Sequence, residues 1–176
     1  MAHESALIQQ FALEYAQPGQ GMKLLPSDGK PGDMEAGIKT AQMRLKMQEF
    51  DKVFHSSWWG AMMTRLSIDE QNAIAMEGLK KIEEMFVKLM NGKDYLSGTA
   101  EPNLLDLYCY PMVERAIMME NSPWHDGFVK MGMKEQLPVI YAFVHRMREH
   151  PVFGKHKITE KAYNNLLLGM NSKEMG

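Results

Sequence analysis

The chain contains a single thiol, and its position decides whether it can serve as a nucleophile. Cys109 is the only cysteine in the sequence. A catalytic thiolate needs an electropositive and partly exposed setting, such as the start of a helix. Cys109 instead lies inside a helical stretch between Tyr108 and Tyr110, which indicates a place in the hydrophobic core. We therefore expect a structural thiol and no catalytic residue here.

The histidines do not predict a metal site. His145 and His150 lie five residues apart, whereas a zinc-binding pair on one helix face needs a spacing of four. No carboxylate or cysteine completes a ligand set, and the sequence contains no glycine-rich phosphate loop and no nucleophile elbow. The six histidines are scattered over the whole chain at His3, His55, His125, His145, His150 and His156.

Composition narrows the class of protein further. The 176 residues carry a formal net charge of −2, which argues against an extended nucleic-acid surface. No apolar run approaches the ~20 residues of a membrane span, and the first residues lack the features of a secretory signal. One cysteine cannot form an internal disulfide, so we expect a reducing, cytoplasmic location. The 18 methionines are expected mostly in the core, or else in an adaptable apolar interface.

Hydrophobic periodicity predicts helices almost throughout and no strand, so the expected fold class is all-α. A short helix is expected over residues 4–15, followed by a linker over 26–32. A long helix should run from 33 towards 65 with a bend at Gly60, and a capping box at Ser67 should start another that ends near 90. Further helices are expected over 103–119, 135–150 and 159–169.

The helix over 103–119 begins with a local signal that is specific. Asn103 can accept a hydrogen bond from the backbone near Asp106, and Asp106 can reach back to the amide of Asn103. This is an Asx version of the capping box, and we assign both residues as a structural cap. Pro111 follows inside the helix, where a proline removes one backbone hydrogen bond at a cost of about 3 kcal/mol.

This pattern resembles the core helix of the C-terminal domain of glutathione transferases, and the Tyr-Pro-Met-Val-Glu-Arg stretch at 110–115 is most similar to the omega class. Residues 137–151, with a proline near each end, resemble the next helix of that family, and the Thr-Glu-Lys-Ala-Tyr stretch at 159–163 resembles its last helix. The Glu4–Ser5 pair resembles the start of the final helix of the family's thioredoxin-like domain. Residues 24–28 resemble the linker between the two domains.

The resemblance implies a glutathione transferase C-terminal helical bundle over residues 27–176, preceded over 1–26 by one remnant helix and the linker of a thioredoxin-like domain. The family's catalytic cysteine and its sheet would lie upstream of Glu4. The implied activity is omega-type thiol transfer or dehydroascorbate reduction with glutathione as co-substrate. This chain would supply the acceptor-substrate side, for a small electrophile or disulfide, and would be inactive alone.

The resemblance also implies roles for individual residues. Glu4 and Ser5 would bind the γ-glutamyl end of glutathione, although both are also ordinary residues for a helix start. Arg115 and Tyr163 would line the acceptor pocket, although Arg115 could equally pair with Glu114 to brace the helix.

Two adjacent tryptophans lie in the second half of the long first helix, which faces the cleft in the family. Trp58 and Phe54 are therefore candidates for the pocket wall. Consecutive helical residues point about 100° apart, so we expect one of Trp58 and Trp59 in the core and the other in a pocket or an interface.

A second hypothesis is a non-catalytic interaction or scaffold subunit of a larger complex. Without the sheet of a thioredoxin-like domain, the helical domain would expose an apolar face, which soluble monomers rarely do. A homodimer or a partner chain covering that face is therefore expected.

Overall fold

The computed structural model describes residues 34–62, 64, 66–120, 131–156 and 159. Every regular element in this part of the chain is helical, in agreement with the all-α prediction. The elements, in chain order, are α1 (Met34–Phe54), a π turn (His55–Trp59), α2 (Gly60–Met62), α3 (Ile68–Met90), α4 (Leu104–Glu120), α5 (Met133–Gln136), α6 (Pro138–Glu149) and a 3₁₀ turn (Phe153–His156). The predicted elements over 4–15, 26–32 and 159–169 lie outside the described residues.

Four long helices surround one hydrophobic core. Helix α1 packs on α3 and α4, and α6 closes the arrangement by packing on both α3 and α4. The aromatic centre of the core joins three of these helices. The Phe86 ring of α3 lies 6.2 Å from the Phe50 ring of α1 and 5.2 Å from the Phe143 ring of α6. All three side chains are fully buried, so the largest apolar surfaces of the chain hold the helices together.

The ends of α3 follow the local signals in the sequence. The Ser67 Oγ accepts a hydrogen bond from the Glu70 amide, and the Glu70 carboxylate accepts one from the Ser67 amide at 3.0 Å. At the other end Asn91 adopts the left-handed conformation with φ of 46°, and its amide still reaches the Val87 carbonyl. The predicted capping box and the predicted stop are both confirmed.

The single helix predicted over 135–150 is wrong, because the structure has two helices there. Leu137 takes φ −131° and ψ 56° and separates α5 from α6. The residue before a proline is pushed out of the helical region by the proline ring. Pro138 itself suits the first position of the new helix, where its missing amide hydrogen costs nothing.

The long first helix continues through Gly60, but the distortion lies in the five residues before this glycine. The Gly60 amide bonds to the His55 carbonyl, and this i to i−5 bond defines the π turn. Hydrophobic periodicity also predicts four residues on the apolar faces of α1 and α3 that are in fact exposed to solvent: Ile38, Leu45, Ile74 and Val87. Helical spacing alone did not distinguish the core stripe from apolar residues on the opposite face.

Candidate functional site

Helix α4 is held at its start by a buried carboxylate. Asp106 Oδ2 accepts the Asn103 amide at 2.9 Å, and Asn103 Oδ1 accepts the Leu105 amide at 2.9 Å. The reciprocal cap predicted from the sequence is therefore present. Asp106 Oδ1 also accepts the Leu96 amide at 2.7 Å, so the carboxylate ties the preceding loop to α4. Burial raises the pKa of Asp106 to about 6, and its backbone hydrogen bonds offset part of that rise.

One face of α4 reaches the surface. We call Tyr108, Met112 and Arg115 the α4 strip, because their spacing of four and three places them on one side of the helix. Tyr108 and Met112 are half-buried. Arg115 is exposed, and it is the one exposed side chain among those described on α4. The strip therefore presents an aromatic and apolar surface with a cation about 10 Å from Tyr108 along the helix axis.

The tyrosine end of the strip meets a histidine and an aspartate of α1 and the π turn. Burial together with the Asp51 carboxylate raises the pKa of the Tyr108 phenol. His55 Nδ1 lies 3.0 Å from the Asp51 main-chain oxygen and 3.0 Å from Asp51 Oδ1. The side chains of Asp51 and His55 are 16% and 41% exposed. The Asp51 carboxylate therefore interacts with both the half-buried phenol and an imidazole that reaches solvent.

The π turn decides which way the two tryptophans face. Trp58 is 1% exposed and belongs to the core, whereas Trp59 is 41% exposed. Phe54, at the end of α1, is 5% exposed and packs in the same core. Phe54 and Trp58, which were proposed for the pocket wall, therefore both pack among the chain's own core side chains. The aromatic side chain that reaches the surface here is Trp59.

Of the other predicted site residues, the structure describes one. Arg115 is on the α4 strip, as described above. Glu4, Ser5 and Tyr163 lie outside the described residues. Their roles, and the pocket that they would complete with Arg115, stay predictions.

The bracing partner of Glu114 is not its neighbour in sequence. Glu114 is 3% exposed, and its Oε1 accepts hydrogen bonds from the Tyr110 hydroxyl at 2.6 Å and from Arg148 Nη1 at 3.1 Å. Burial and this carboxylate raise the pKa of Tyr110. The expected Glu114–Arg115 brace is therefore replaced by a contact between α4 and α6. Arg115 is exposed at the surface.

Cys109 has the environment of a core side chain. It is fully buried, and burial raises the pKa of its thiol well above the ordinary value, with Asp106 and Asp51 adding to the rise. A raised pKa disfavours the reactive thiolate. The prediction that this cysteine lies in the hydrophobic core is confirmed.

One part of this site has a signal in the sequence, which is the spacing of an aspartate and a histidine on one helix. Asp51 precedes His55 by four residues, so the two must share a helix face. The contact with Tyr108 had no such signal, because it depends on how α4 packs against α1. Within the described residues, no group of three or more histidine, cysteine or acidic side chains is arranged to hold a metal ion.

In comparisons with known proteins, no family model, no curated protein and no solved structure matches the chain. In the part of the chain that the structure describes, no helix combines the length and apolarity needed to cross a bilayer.

Proposed function

We propose that this chain forms the acceptor-substrate side of an omega-type glutathione transferase-like protein. The observation that carries the proposal is the start of α4. There, the reciprocal Asn103–Asp106 cap is followed by Pro111 inside one continuous helix, as in the core helix that the sequence resembles. The order of the other motifs along the chain supports the same assignment, as does the all-helical architecture.

The α4 strip suits the acceptor in this proposal. Tyr108 and Met112 offer an apolar surface, and Arg115 offers a cation that would attract an anionic or polarised group. A small electrophile or disulfide would lie on this surface. Glutathione would be the co-substrate, with Glu4 and Ser5 on its γ-glutamyl side and Tyr163 closing the pocket. A cytoplasmic setting, where glutathione is reduced, belongs to the same proposal.

Calorimetric titration of the full chain with glutathione tests the proposal. Binding at roughly millimolar concentration or tighter is expected. Glu4→Ala should abolish the binding, because it removes the group that would meet the glutathione ammonium. Glu84→Ala, which removes an exposed carboxylate of α3, is the matched control and should leave binding unchanged. A folded protein that gives no heat with glutathione would contradict the proposal.

A second candidate function, an interaction subunit, is favoured by an apolar stripe on α1. Met34, Ile38 and Leu45 are 79%, 52% and 64% exposed. Their spacing of four and seven places them on the side of α1 opposite its buried residues. A stripe of this spacing packs well against a second helix of the same kind. The proposed occupant is a second copy of the chain, since two-fold homodimers pair identical patches.

Light scattering during gel filtration tests this second candidate. The unmodified chain should elute with the mass of a dimer, and Leu45→Glu should convert it to a monomer by placing a charge in the stripe. Val87→Glu alters an apolar residue of α3 that is 51% exposed, and it should leave the dimer intact. A monomeric unmodified chain would remove the support for this function.

A further inference from the structure

The imidazole of His55 is held in one tautomer. Its Nδ1 faces two oxygens of Asp51, the main-chain carbonyl at 3.0 Å and the carboxylate Oδ1 at 3.0 Å. Neither oxygen carries a hydrogen, so Nδ1 must be the protonated nitrogen of the neutral ring. The lone pair is then on Nε2, at the side of the ring away from Asp51. A ring oriented in this way by an acidic residue is the arrangement that activates histidine in many enzymes.

The Asp51 carboxylate lies within reach of the Nδ1 proton. The hydrogen bond from Nδ1 is directed at the Asp51 main-chain oxygen, and Oδ1 lies 3.0 Å from the same nitrogen. Among the described residues Oδ1 has no hydrogen-bond partner, and it is shielded from solvent. Burial and the same carboxylate raise the pKa of the Tyr108 phenol on α4. An oxygen without a hydrogen bond in a buried position gains from accepting one. The carboxylate is therefore beside the ring and short of one donor.

We propose that His55 is a nucleophile for small activated esters, with Asp51 as its proton acceptor. In the first step the Nε2 lone pair forms a bond to the acyl carbon, and the ester C–O bond breaks with its electron pair leaving on the alcohol oxygen. The Nδ1 proton passes to Asp51, which leaves a neutral acyl-imidazole. In the second step a water oxygen forms a bond to the acyl carbon, and the bond from that carbon to Nε2 breaks with its electron pair returning to Nε2. The carboxylic acid leaves, one proton of the water passes to solvent, and the proton on Asp51 returns to Nδ1.

The location of the ring fits this chemistry. The His55 side chain is 41% exposed, so a small molecule can reach the ring. His55 is also the first residue of the π turn. Turns of this type are frequent at functional sites because they redirect side chains. The half-buried Tyr108 ring, whose phenol interacts with the Asp51 carboxylate, is the nearby surface for an acyl group. This inference does not depend on glutathione binding. A negative result in the glutathione titration therefore leaves it untouched, and a negative result with the ester leaves the proposed function untouched.

A second histidine of the chain provides an internal control. His145 Nδ1 lies 3.3 Å from Glu149 Oε2 on α6, also at a spacing of four, but both side chains are highly exposed, at 63% and 70%. Within the described residues, no tyrosine phenol interacts with the Glu149 carboxylate as Tyr108 does with Asp51. Exposure alone ranks His145 as the more reactive ring, whereas the proposed mechanism ranks His55 first. Comparing the reactivities of His55 and His145 therefore distinguishes a histidine oriented by its surroundings from an ordinary surface histidine.

The experiment uses p-nitrophenyl acetate as the probe and the full chain as the catalyst. His55→Gln should lower the rate of p-nitrophenolate release by about tenfold or more, a smaller factor than the ~100-fold at the low end for a positioned proton-transfer group in an enzyme. His145→Gln should change it less than about twofold. Asp51→Asn keeps the imidazole but removes the proton acceptor, and it should also lower the rate.

Mass spectrometry of the protein, after the reaction is stopped during turnover, detects the intermediate directly. The acetyl group is expected on the peptide that contains His55. Equal rates for the unmodified chain and His55→Gln would overturn the proposal. An acetyl group found mainly on His145 would overturn it as well. His55→Gln decides the outcome, because the replaced side chain is partly exposed and outside the core.

Discussion

Replacing Asp106 by asparagine should change how the stability of the protein depends on pH. Asp106 is fully buried and accepts the Leu96 and Asn103 amides. Burial raises its pKa from 3.8 to about 6, so the folded state holds this proton more tightly than the unfolded chain does. The stability that this group contributes is therefore present below pH 3.8 and is lost as the pH rises through about 6. The shift corresponds to about 3 kcal/mol.

Urea unfolding followed by circular dichroism between pH 4 and pH 7 measures the effect. Asp106→Asn cannot ionise, so the free energy of unfolding of the unmodified chain should fall by about 2 kcal/mol relative to the variant across this range, because the unfolded chain is already partly ionised at pH 4. The variant also loses one acceptor for a buried amide, at a cost of roughly 1–3 kcal/mol, but that cost does not vary with pH.

Asp69→Asn, at an exposed position in the first turn of α3, controls for the loss of one surface charge. A constant difference between the unmodified chain and Asp106→Asn over the whole range would refute the reasoning. So would a difference that grows in favour of the unmodified chain as the pH rises, because the amide hydrogen bonds would then outweigh burial.

Three further predictions concern packing and reactivity. Gly78→Ala would place a methyl group in collision with the Ser57 side chain, so urea unfolding should show a loss of roughly 1–3 kcal/mol that Ser57→Gly partly restores; an unchanged midpoint would contradict this contact. Glu83→Gln removes the carboxylate that accepts two amides at the start of α6 and should cost about 1–2 kcal/mol, whereas Glu84→Gln on the solvent side should cost little. Cys109 should react with a thiol reagent only after denaturation, because burial raises the pKa of its thiol; fast labelling of the folded protein would show that the core is open there.

Helix starts and stops were predictable because their signals are local. The Ser67 capping box and the Asn103–Asp106 cap each involve residues three apart, and Asn91 ends α3 through its own backbone conformation. Such interactions form within one turn and need no tertiary partner. The break at Leu137 was also encoded locally, since a proline restricts the residue before it, but the apolar periodicity across it suggested one helix.

Contacts between helices were not predictable from the spacing of residues. Glu83 of α3 binds the amides at the start of α6, which are 56 and 57 positions away in sequence, and Arg148 meets Glu114 across 34 positions. The same limit applies to the candidate site. The sequence indicated Arg115 and a surface role for one of the two tryptophans, whereas the link from Tyr108 to Asp51 depends on the packing of α4 against α1.

The central claim is that this chain supplies the surface on which the acceptor group lies, and one comparison tests it directly. Calorimetry should show that S-benzylglutathione binds the full chain more tightly than glutathione, by about tenfold or more, because a benzyl group buried on the α4 strip contributes roughly 1–3 kcal/mol. Met112→Ala should reduce this difference, and Val87→Ala on α3 should preserve it. Equal affinities for the two compounds, or binding of neither by the folded protein, would contradict the claim.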